Sequence, residues 1–85
     1  MKEETIQEVS KILDEWNPLG ARASTIEDLN GYRTEAIDIL STYGMFPGMT
    51  VYKAVKGVIE QAFDITVDER GLNDAVAKIS KIIEK

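Results

Sequence analysis

Neither cysteine nor histidine occurs in the chain, tryptophan occurs once and proline twice. Each scarcity removes a class of explanation. Without cysteine there is no disulfide framework, no thiolate metal site and no thiol nucleophile, and a reducing, cytoplasmic setting is the expectation. Without histidine the commonest general base and the commonest metal ligand are both missing. The expectation is therefore a protein that is not an enzyme, with no catalytic residue, no cofactor and no metal. The opening Met1-Lys2-Glu3-Glu4 is charged and leads into an amphipathic pattern. No apolar run approaches the roughly 18 residues that a membrane span needs, so neither an N-terminal signal nor membrane insertion is expected.

A basic face is also lacking. The net charge of -5 is unevenly placed: nine acids stand against four bases from Met1 to Tyr43, and six against six from Gly44 to Lys85. Phosphate binding needs clustered cations, so nucleic acid is not an expected ligand. What is present is ordinary globular composition, 44% apolar with 29% charged, which argues against disorder. The 85 residues suffice for one domain spanning 1–85. A chain of that size buries only roughly 60–65% of its unfolded surface, which makes for a thin core.

Apolar residues recur at helical spacing in four stretches. Ile6, Val9, Leu13 and Trp16, with Ile12 beside them, give a first helix from Glu3 to about Trp16, stopped by an extended Asn17 before Pro18. Tyr32, Ala36, Ile39, Leu40 and Tyr43 give a second helix from about Tyr32 to Tyr43. Val51, Val55, Val58, Ile59, Ala62 and Phe63 give a third, capped by Thr50, and Leu72, Ala75, Val76, Ile79, Ile82 and Ile83 give a fourth from near Leu72. Four apolar stripes on one short chain are hidden together by an all-α, four-helix bundle-like domain.

The connections are less regular. Between the first two helices lies a long loop, Pro18 to Gly31. Ser24 or Thr25 with Glu27 and Asp28 resembles a helix start, so a short extra helical turn is expected there, with Ile26 and Leu29 against the core. Asn30-Gly31 permits the positive φ that redirects the chain. The Gly44-Met45-Phe46-Pro47-Gly48-Met49 connection combines turn residues with large apolar ones, which are expected to close the end of the core; the alternative is an exposed apolar patch for a partner. Gly57 is expected to permit close approach of another helix.

The acids Asp14, Glu15, Glu27, Asp28, Glu35 and Asp38 are the strongest chemical candidates, since carboxylates coordinate Mg²⁺ or Ca²⁺ and serve as acid/base pairs when several converge. Their placement near helix ends also fits a solvated, helix-supporting acidic face, the reading preferred here. No EF-hand spacing, phosphate-cradling glycine loop or activated nucleophile is found.

Trp16-Asn17-Pro18 after the first helix, Tyr32-Arg33-Thr34-Glu35-Ala36-Ile37-Asp38-Ile39 opening the second, and the tail from Phe63 to Ile83 resemble the YugE-like family of short, functionally uncharacterised bacterial proteins. That resemblance implies an all-α fold and transfers no activity; the chain departs from the family by extra residues between Pro18 and Tyr32. Ala23-Ser24-Thr25-Ile26-Glu27-Asp28-Leu29 also looks like the stretch before the phosphopantetheine-bearing serine of acyl carrier proteins. The Asp-Ser-Leu motif would fall near Tyr32-Arg33-Thr34, and its serine is missing. A carrier-like shape without carrier chemistry is what this second resemblance implies.

The functional expectation is a small acidic cytoplasmic module that binds another protein, of basic surface, an inhibitor or immunity-type protein being one version. Acidic residues, the apolar loop and aromatic residues at element ends define the expected surface: Trp16, Pro18, Glu35, Asp38, Met45 and Phe46. The alternatives are a carboxylate-based metal-binding or hydrolytic protein, and a homodimer joined through the Met45-Phe46 loop.

Overall fold

Ile6, Val9 and Leu13 stand at helical spacing and all three are buried, which fixes the inward face of the first helix, α1, Glu3–Trp16. The computed structural model describes residues 2–26 and 29–84; Glu27 and Asp28, expected in a helix start, lie outside the described residues. Three further helices follow: α2, Arg33–Met45; α3, Val51–Phe63; and α4, Glu69–Ile83. Each packs on its neighbours in chain order, and α1 closes the ring against α4. The short connections 46–50 and 64–68 make successive helices antiparallel. The all-α, four-helix bundle is the observed architecture, and the described residues include no strand.

The helix boundaries follow identifiable local chemistry. Thr50 Oγ1 accepts from the Lys53 N–H at 3.1 Å and starts α3. Asp68 Oδ2 accepts from the Gly71 N–H at 3.0 Å, so α4 begins at Glu69 rather than near Leu72. The Asp68-Glu69-Arg70-Gly71 run, whose residue types also suit a turn, is a cap and a first helical turn. α1 stops where expected, but by another route: Asn17 is left-handed (φ 50°, ψ 65°), not extended, and its N–H donates to the Leu13 carbonyl at 2.7 Å. Asparagine tolerates this conformation better than most residues, and its side-chain amide donates to the Gly20 carbonyl at 3.2 Å.

One core cluster draws on all four helices, including Leu13, Ile39, Ile59 and Ile79, each wholly inaccessible. On α3 the buried stripe is Val51, Ala54, Val55 and Ile59; Ala62, expected inside, is exposed. The long connection forms a 3₁₀ helix over Gly20–Thr25, earlier than the turn expected at Ser24 or Thr25. Ile26 and Leu29 do pack against the core.

Candidate functional site

α2 and α3 do not close against one another along their outer edge. Asp38, Ser41, Thr42 and Met45 from α2 face Val58, Gln61 and Ala62 from α3 across an open groove of about 380 Å³. The residues 38, 42 and 45 share a helix stripe because they are separated by one turn each. Ala62 has too little side chain to fill the gap, which leaves it at the surface. Met45 is 71% exposed and Phe46 54%, and these are the exposed large apolar side chains among the described residues. The exposed patch is thus the arrangement adopted at Met45 and Phe46; of the apolar residues in that loop, Met49 packs against the core. Among the described residues, no basic side chain lines the groove.

Glu35 belongs to the same stripe one turn before Asp38, yet it is buried, 8% exposed. Expected on a solvated face, it instead has Oε1 inaccessible and without a hydrogen-bond partner. Loss of water raises its carboxyl above the ordinary range, its own backbone N–H opposes that, and the Asp38 charge adds to the rise. The two acids that sequence spacing puts one turn apart are therefore unlike: Asp38 is exposed and Glu35 is sealed.

The chain reaches α2 through an irregular turn. Asn30, Gly31 and Tyr32 are successively left-handed, with φ of 46°, 63° and 64°. For a tyrosine this is a costly conformation, about 1–2 kcal/mol. Contacts from α1 and its exit hold it. Ser10 Oγ donates to the Gly31 carbonyl at 2.5 Å. The Tyr32 hydroxyl donates to Asn17 Oδ1 at 2.6 Å and accepts from the Leu19 N–H at 3.3 Å. Its ring, fully buried, meets Phe63 edge-on at 6.0 Å between centroids. Burial pushes the Tyr32 hydroxyl pKa up, despite the bond from Leu19. At the other side of the turn Arg33 forks onto the Glu3 carboxylate at 2.5 and 2.6 Å, which holds Glu3 below the usual carboxylate range.

Trp16 sits on the opposite side of the bundle from the groove. It is half-buried against α4, where it lies so close to Gly71 that a β-carbon there would collide with the indole nitrogen. Pro18 is half-buried in the exit from α1. The six expected surface residues thus divide: Asp38 and Met45 line the groove and Phe46 is exposed next to Met45, whereas Trp16, Pro18 and Glu35 do not line it. Ser41, Thr42, Val58, Gln61 and Ala62 complete the groove and were not legible as a site; the available signal was the one-turn spacing of Asp38, Thr42 and Met45 opposite a small residue.

The remaining acids are dispersed. Asp14 borders a polar depression with Lys11, Asn30 and Arg33, and Glu15 lies beside Trp16 near Asp74. Among the described residues no three acidic side chains gather closely enough to hold a metal ion. Among them, too, no helix is long and apolar enough to cross a membrane. No protein-family model, curated protein or solved structure matches the chain.

Proposed function

We propose that this chain is a non-catalytic protein-interaction module whose partner is a protein of basic surface. The observation behind this reading is the exposure of Met45 and Phe46 beside a groove whose one acidic lining residue, among those described, is Asp38. A small domain gains stability by burying large apolar side chains, so leaving two at the surface is favoured when a partner covers them. The net charge of -5 steers a basic protein toward the chain, and the apolar pair supplies the anchor. An inhibitor or immunity-type role in the cytoplasm fits that combination, and nucleic acid does not. The resemblance to YugE-like proteins rests on short sequence motifs and transfers no activity.

The test is retention on the immobilised chain at low and at raised ionic strength. A basic protein retained at low salt and released as salt rises is the expected result, because screening weakens the steering charges. Retention of nothing basic at low salt would overturn the reading.

A further inference from the structure

We infer that the α2–α3 groove takes a short amphipathic helix of the partner protein, with a lysine or arginine against Asp38 and an apolar side chain over Met45 and Phe46. This rests on the interaction-module reading above and specifies its surface and the chemistry of its occupant. Asp38 and Met45 lie about two helical turns, or roughly 10 Å, apart along α2. A helix laid along the groove presents side chains at the same interval, at positions i and i+7, so one base and one anchor meet the two features together.

Charge selects the occupant. The lining includes an acid and no base, and the next residue of the stripe inward is Glu35, a carboxyl with a buried, unpartnered oxygen. A cation brought to the groove meets the Asp38 carboxylate and no opposing base among the described lining residues. A second copy of this chain would bring the same acidic groove and a net charge of -5 against itself, which disfavours self-association there. Of the two bases of α3, Lys56 is drawn toward α4, where it bonds Glu69 at 3.3 Å and lies over the Tyr52 ring, and Lys53 is not among the residues lining the groove.

The experiment follows amide shifts of the isotopically labelled full chain during titration with a synthetic helical peptide carrying lysine at i and leucine at i+7. Shifts concentrated at Asp38, Thr42, Met45, Val58 and Gln61 are expected. Asp38→Asn should weaken binding by up to about fivefold, the effect of an exposed ion pair. Replacing both Met45 and Phe46 by serine should weaken it by about tenfold, the loss of an anchor; all three positions are exposed, so the fold tolerates these changes. A peptide with glutamate in place of lysine should bind more weakly than the lysine peptide. Shifts elsewhere, no shifts up to millimolar peptide, or insensitivity to both variants would overturn the assignment. So would the same residues shifting on dilution of the chain alone, which would make a second copy the occupant. Retention of basic proteins by the immobilised chain is scored separately, so the groove and the wider interaction reading can fail independently.

Discussion

The seam between α1 and α4 and the seam between α2 and α3 are built from similar parts and end differently. In the first, a tryptophan is laid over a glycine, Trp16 on Gly71, and the depression left beside them is small, about 90 Å³. In the second, alanine stands where a large side chain would fill the gap, and the large side chains nearby, Met45 and Phe46, point away from the core. Such a thin core needs most of its large residues. Where one is withheld, the surface it leaves has little structural obligation, which supports the docking proposed at α2–α3 rather than at Trp16.

That contrast can be broken most sharply at Gly71. Gly71→Ala forces the indole away and should destabilise by about 2 kcal/mol, the middle of the range for overpacking, lowering the melting temperature by roughly 10 °C in a domain of this size. An unchanged melting temperature would mean that the α1–α4 seam is not tightly closed. On the open side the next effect is Glu35→Gln, expected to stabilise by about 1 kcal/mol at neutral pH by removing a carboxyl whose ionised form burial disfavours. Its sign has a pH signature. Because the folded carboxyl pKa is raised above the unfolded value, the folded state holds its proton longer, so the destabilisation grows as pH rises through the folded value and vanishes below the unfolded one. The gap between Glu35→Gln and the original chain should therefore shrink as pH falls toward about 4; a constant gap in denaturant titrations would contradict it.

Smaller effects sharpen the comparison further. Gly57, expected to sit under another helix, has nothing within 4 Å of the place a β-carbon would occupy. Gly57→Ala should raise stability by roughly 0.5–1 kcal/mol, the propensity difference alone, so glycines 57 and 71 should respond with opposite signs. Replacing Met45 or Phe46 by serine should change stability by less than about 0.5 kcal/mol, as at exposed sites generally. A larger loss in thermal melts would show that the pair supports the fold.

Much of the architecture was legible because a helix stripe is a local pattern: Ile6, Val9 and Leu13 declare α1, and Leu72, Ala75 and Ile79 declare α4, without reference to anything else. The errors arise where a distant residue decides. Asp68 through Gly71 has turn chemistry, yet the same aspartate serves as a helix cap when the following residues pack. Asn17 and Tyr32 adopt left-handed backbones because each is tied across the chain, Tyr32 to Asn17 and Leu19. Of the candidate site, Asp38, Met45 and Phe46 were readable as acid and apolar loop. The burial of Glu35 was not, because a carboxylate in a first helical turn has an adequate local explanation in the helix dipole and its surroundings are set by packing.

The turn before α2 has a consequence for the order of assembly. Asn30, Gly31 and Tyr32 together occupy a region that an isolated chain visits rarely, so this segment is a poor place for folding to begin. It becomes favourable once Ser10 on α1 and Asn17 at its exit are in position to receive it. The prediction is that α1 docks first and the connection locks last, and that it is correspondingly among the first parts to open. Native-state amide exchange reads this directly: the amide of Tyr32 should open at lower free energy than those of Leu13 and Ile59, and equal protection at all three would contradict that sequence of events.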